Sequence, residues 1–120
     1  MDYNKDLGKK GEDLASDYLQ KKGYKVIEKN FKARYGEIDI IVRDRSDTLV
    51  FVEVKTRVGD LYGEPVEAIL PRKLHEVIKT AEFYLLKDNL DVDWRIDVVA
   101  VSLKEDQTIE EIEHFENVTM

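Results

Sequence analysis

The stretch TLVFVEVKT, residues 48–56, reads as a β-strand whose two faces are both apolar at its start. Side chains alternate across a strand, so Leu49, Phe51, Glu53 and Lys55 share one face and Val50, Val52, Val54 and Thr56 the other. A strand apolar on both faces is covered on both, which places this one at the centre of a sheet. Glu53 and Lys55 then leave a buried face toward its rim. Taken alone, a strand running into solvent with a paired Glu and Lys explains them as well as a functional site does.

Working outward, GEIDIIV at 36–42 is a second buried strand, because Ile40, Ile41 and Val42 run on without alternation. YKVIEKNFKAR at 24–34 is a strand with imperfect alternation, and DRSD at 44–47 is a turn. Residues 5–22 repeat Leu7, Gly11, Leu14, Ala15, Tyr18 and Leu19 at helical spacing, with Asn4 as N-cap and Gly23 as stop. Gly8 and Gly11 weaken that helix by about 1 kcal/mol each but let it approach a sheet closely. After a loop at 59–65, a helix starts near Pro71 with the stripe Leu74, Val77, Ile78, Ala81 and Leu85. WRIDVVAVSL at 94–103 is a fourth strand, and EEIEHFENV at 110–118 a fifth, at an edge. The expected fold is α/β in the broad sense (α+β): residues 1–120 as a single domain in the order α-β-β-β-α-β-(β), one mixed sheet flanked by helices.

Asp39 repeats the oddity of Glu53, because aspartate is poorly suited to a strand interior and this one stands among isoleucines. If the second and third strands form a hairpin, the two acids share a face only when paired positions sum to an even number. Pairing 39 with 53 requires 43 opposite 49 and a five-residue loop, 44–48. An even loop without a bulge turns Asp39 to the other face, since a slip of one residue inverts every side chain. A third acid, Glu12, lies at the rim of the first helix's apolar stripe, where an ordinary solvated flank is the simpler explanation.

Composition bounds the chemistry. The 120 residues hold no cysteine, which excludes disulfides and thiolate metal sites. The N-terminal MDYNKDLGKKGED has no apolar core and no stretch approaches about 20 apolar residues, so the expectation is a cytoplasmic protein with no membrane partner. Net charge is −7, the wrong sign for tight nucleic-acid binding by charge alone, so any phosphate-binding surface must be local or carry a cation. Two or three carboxylates with a lysine suit a hard cation such as Mg²⁺, which takes oxygen ligands and keeps several waters. Asp39, Glu53 and the Val54 carbonyl offer three oxygens. The metal would lower the pKa of a bound water, and Lys55 would orient that water or stabilise developing negative charge. Neither His75 nor His114 has an evident partner.

The pattern Glu12, Gly36-Glu37-Ile38-Asp39, then Phe51-Val52-Glu53-Val54-Lys55-Thr56-Arg57 resembles the PD-(D/E)XK nuclease superfamily. More narrowly, it resembles the YraN family, related to archaeal Holliday junction resolvases. Gly8 through Leu19, Asn30-Phe31, Gly63, Pro71-Arg72-Lys73, Ala81, Tyr84-Leu85 and Arg95 through Val101 extend the resemblance along most of the chain. It implies a restriction-endonuclease-like mixed β-sheet with flanking helices. It also implies a metal site at Asp39 and Glu53 for Mg²⁺ or Mn²⁺, Glu12 as an additional acid and Lys55 as the catalytic lysine. Position 38, a proline in the superfamily's name, is isoleucine here.

The partner such a site implies is nucleic acid, DNA first, and related resolvases act as homodimers. Arg34, Arg57, Arg72 and Lys73 are the candidate phosphate contacts, against a solvated basic surface. Tyr62 offers a ring for base stacking, and Asp97, between Ile96 and Val98, reads as structural. Three functions fit these residues: a metal-dependent endonuclease for branched or structured DNA, a non-catalytic nucleic-acid-binding module, and a protein-interaction module whose acids are idle.

Overall fold

Burial on both faces makes β3 (Leu49–Val58) the centre of the molecule, its first five residues all buried. The protein is seen here in a computed structural model that describes residues 3–59 and 71–119. Around β3 stand α1 (Tyr3–Lys21), β1 (Lys25–Ala33), β2 (Gly36–Arg43), α2 (Pro71–Lys87), β4 (Trp94–Leu103) and β5 (Ile109–Phe115). The strands form one sheet in the order β1-β2-β3-β4-β5. Every neighbouring pair is antiparallel except β3 and β4, which run parallel. The α+β architecture is therefore a mixed sheet with a helix on each face, and the fifth strand is present at an edge.

The alternation in β3 builds two cores. Leu49 and Phe51 pack with Ile41 and Ile96 beneath Val77, Ala81, Tyr84 and Leu85 of α2. Phe51 meets the rings of Tyr84 and Trp94 edge-on at 5.7 and 5.8 Å, the arrangement ring quadrupoles favour. Val50 and Val52 pack with Ile40, Val42, Val99 and Val101 beneath Ala15 and Leu19 of α1. Gly23 ends α1 at φ +100, with its N–H on the Gln20 carbonyl and the Tyr24 N–H on the Leu19 carbonyl, both at 3.0 Å. That is a Schellman stop. Asn89 closes α2 the same way at φ 51.

Several boundaries differ from the sequence expectation. Asn4 lies inside α1 rather than capping it. An asparagine caps only where the chain before it leaves helical φ and ψ, and Tyr3 is still helical. The imperfect alternation of β1 comes from a register shift between Val26 and Glu28. β5 stops at Phe115, but the chain runs on beside β4: the Asn117 N–H donates to Asp97 Oδ1 at 2.9 Å and the Val118 N–H to the Ile96 carbonyl at 2.8 Å. Of the loop at 59–65 only Gly59 is described, so Tyr62 and Gly63 lie outside the described residues. No helix among the described residues is long and apolar enough to cross a membrane.

A candidate acid-pair site where two strands part

The hairpin register is the even one. Arg43 faces Leu49, Val42 faces Val50, Ile41 faces Phe51 and Ile40 faces Val52, across the five-residue loop 44–48. Asp44 closes that loop, its Oδ1 accepting the Ser46 and Thr48 N–H groups at 2.8 and 3.0 Å. The β2–β3 ladder ends at Ile40 and Val52. One step further on, Asp39 Oδ2 accepts the Val54 N–H at 2.8 Å, a bond that a carbonyl of β2 would make in a continuing ladder.

Asp39 takes that direction because β2 turns over at it. Ile38 packs in the α2-side core and Ile40 in the α1-side core, although residues two apart share a face in a regular strand. The ladder to β1 passes from Lys29 opposite Ile40 to Phe31 opposite Ile38 with no pair between. Asn30, at that gap, sits at φ 52, a left-handed conformation that asparagine tolerates better than most residues.

Glu53 is 4% exposed. Its Oε1 lies 3.6 Å from the Lys73 ammonium, and its Oε2 is buried with no hydrogen-bond partner among the described residues. Burial first, then the charge of Asp39, raises its pKa to about 7 against the pull of Lys73 and Lys55. Burial likewise raises Asp39 to about 6, opposed by the Val54 N–H and reinforced by the charges of Glu12 and Glu37. Two carboxylates in one desolvated place resist double ionisation and titrate as a pair.

Glu12 reaches this neighbourhood because α1 lies almost on β3. A Cβ on Gly11 would stand 2.8 Å from Thr56 Cβ and overlap its hydroxyl, so only glycine allows the approach. Asn30 Nδ2 donates to Glu12 Oε1 at 2.8 Å and to Glu37 Oε1 at 3.3 Å, joining α1 to β2. Lys55 is half-buried and forms no ion pair among the described residues.

The basic residues divide. Lys73, on the first turn of α2, is drawn to Glu53. Arg57 Nε donates to Ser102 Oγ at 3.1 Å, Arg72 lies 3.8 Å from Glu76, and Arg34 stands over the Tyr35 ring at 5.9 Å. Sequence reasoning missed the groove of about 670 Å³ between α1 and β1, where Lys9 and Lys29 both pair with Asp13, at 3.3 and 3.4 Å, and Lys32 lies near Glu12, Asn30 and Glu37. Lysines on a helix and a strand gave no sign that they would converge.

His114 has partners after all. Its Nε2 lies 2.7 Å from Asp97 Oδ2 and its Nδ1 2.8 Å from Lys22 Nζ. Asp97 also accepts from Arg95 Nε at 3.0 Å. Burial pushes Asp97 up, but the bonds from His114, the Asn117 N–H and Arg95 outweigh it and hold the carboxyl below its ordinary range. Asp97 is in register with Val52, so this cluster lies on the α1 face, whereas Glu53 follows Phe51 on the α2 face.

Asp39 and Glu53 offer the kind of oxygen donors that a hard cation takes. Among the described residues no group of three or more His, Cys, Asp or Glu side chains stands ready around one ion. The fit is to Mg²⁺ or Mn²⁺ held by one or two carboxylates and its own waters. The orphaned Glu53 Oε2 is the oxygen that such an ion would satisfy.

Fold and site together define a class: a small mixed-sheet α+β domain carrying a desolvated carboxylate pair where two central strands part. Residues 11–101 match the uncharacterised protein family UPF0102, and the chain belongs to that family, the YraN family. It is 50% identical over 105 residues to a UPF0102 protein of Syntrophus aciditrophicus, covering 87% of this chain and 82% of the relative. It is 46% identical over 102 residues to one from Clostridium botulinum, covering 83% and 82%. A solved structure of Pyrococcus furiosus SfsA in complex with Ca²⁺ gives a TM-score of 0.38 at 15% identity, spanning 94% of this chain and 63% of that one, too distant to build on.

Proposed function

We propose that this protein is a Mg²⁺- or Mn²⁺-dependent endonuclease that hydrolyses phosphodiester bonds in DNA, with branched or structured DNA as its substrate. The observation that carries the proposal is the buried Glu53 Oε2 beside Asp39, which has no hydrogen-bond partner among the described residues. A folded chain seldom leaves a buried carboxylate oxygen unsatisfied, and a divalent ion with its waters would satisfy it.

In this reading Asp39 and Glu53 hold the ion, with the Val54 carbonyl as a third oxygen. The ion supplies charge neutralisation at the phosphate and a more acidic water. Lys55, on the face of Glu53 by alternation, orients the attacking water or stabilises the developing negative charge. Glu12, held by Asn30, completes the acidic wall. Lys32 in the α1–β1 groove, with Lys9 and Lys29 once they leave Asp13, guides the phosphate backbone toward the acids, and Arg34, Arg57 and Arg72 contribute more distant contacts. A cytoplasmic location and a homodimeric form that brings two sites to one branched substrate belong to the same reading.

Incubation with Mg²⁺ or Mn²⁺ and linear, flapped and four-way DNA tests it, alongside Asp39→Ala and Glu53→Ala. Metal-dependent cutting lost in both variants is the expected result. Binding without cutting under every condition points to the non-catalytic nucleic-acid-binding module. No binding at any ionic strength points to the protein-interaction module.

A further inference from the structure

We propose that Lys73 is a built-in stand-in for the metal: its ammonium neutralises Glu53 while the site is empty of cation, and it must withdraw for a divalent ion to bind. The inference rests on the metal-site reading of Asp39 and Glu53 and adds to it a competitor within the chain. Glu53 is 4% exposed and needs a counter-charge, and Lys73 supplies one from 3.6 Å, longer than a good charge-assisted hydrogen bond. The contact leaves Oε2 without a partner among the described residues, so the lysine serves only one of the two oxygens. The Lys73 side chain is 37% exposed, on the first turn of α2, so its long stem can swing the charge into water without moving the helix.

An ammonium this close to the acid repels a divalent ion that shares it, and both cannot remain. Lys55 lacks such a contact, although it also lowers the pKa of Glu53 from the same strand. The two lysines thus take different parts: Lys55 remains beside a bound cation, and Lys73 gives way to it. Exchange of one cation for another keeps an ionised Glu53 balanced before the site meets metal.

Mn²⁺ binding at pH 8, followed by electron paramagnetic resonance and by calorimetry, tests the exchange in wild type, Lys73→Met, Lys73→Arg and Lys55→Met. Lys73→Met is expected to bind Mn²⁺ about tenfold more tightly than wild type, and Lys73→Arg within about twofold of it. Lys55→Met, with the same change of net charge, is expected to gain clearly less than Lys73→Met. The rise in melting temperature caused by Mn²⁺ should be larger in Lys73→Met than in wild type, which also verifies that the variant is folded. Equal or weaker Mn²⁺ binding in Lys73→Met overturns the exchange and leaves the metal site standing. An equal gain in Lys55→Met overturns it too, by reducing the effect to net charge. No Mn²⁺ binding by wild type overturns the exchange and the metal site together.

Discussion

The buried acids Asp97 and Glu53 and the half-buried Asp39 carry opposite electrostatic signatures. Asp97 is lowered, so its charge stabilises the folded state, and that contribution is lost only as pH falls through and below the ordinary carboxylate range. Asp39 and Glu53 are raised, so the folded state keeps protons that the unfolded chain has released between roughly pH 5 and 7. Their contribution falls as pH rises through that window. We therefore expect Glu53→Gln to be more stable than wild type by about 2 kcal/mol at pH 8 without metal, and nearly equal to it at pH 5. Urea denaturation at the two pH values measures this, and a Glu53→Gln less stable at pH 8 would refute it. Asp97→Ala should cost about 3–5 kcal/mol at neutral pH in the same assay, because Arg95 and His114 lose a shared buried partner. Asp39 and Glu53 were legible in the sequence because an acid among β-branched residues breaks a pattern. The pairing of His114 with Asp97 was not, since residues of different strands meet only once the β4–β5 register is known.

At the level of elements, the site depends on how near α1 comes to β3. The sequence marked Gly8 and Gly11 alike as allowing close approach, and a helical wheel has no means of choosing between them. Only Gly11 touches the sheet, and a Cβ on Gly8 meets nothing within 4 Å. Gly11→Ala should therefore destabilise the protein by about 1–3 kcal/mol despite alanine's better helix propensity. Gly8→Ala should stabilise it by up to about 1 kcal/mol. Thermal unfolding of the two variants side by side decides the matter, and equal shifts would mean that α1 does not sit where it is placed. The β2–β3 hairpin was the most legible element, because two acids at 39 and 53 fix the parity of the loop between them. The turning-over of β2 at Asp39 was invisible. It depends on one left-handed asparagine in the neighbouring strand, and no alternation pattern encodes that.

For the whole molecule, the decisive feature is that the sheet is split where function would be. A continuous ladder would separate α1 from α2, yet Glu12 of α1 raises Asp39 while Lys73 of α2 holds Glu53. Both helices address one acid pair because β2 and β3 part after Ile40 and Val52. Sheet composition and helix placement followed from periodicity, but the partition of charge did not. A net charge of −7 says nothing of the groove between α1 and β1, where Lys5, Lys9, Lys29 and Lys32 stand among Asp6, Glu12, Asp13 and Glu37. If that groove guides a phosphate backbone, DNA binding should require the divalent ion and weaken with salt at a slope of only about −2 to −4, for a few neutralised phosphates. A steeper slope, or binding indifferent to metal, would move the interface elsewhere.

The central claim is that Asp39 and Glu53 share one divalent ion. Crystals grown at pH 8 with Mn²⁺, measured at the manganese absorption edge, test it most directly. The expected result is one anomalous peak about 2.1 Å from a carboxylate oxygen of each residue, with Lys73 turned away. A peak bound elsewhere, or none beside an intact Lys73–Glu53 pair, would contradict it.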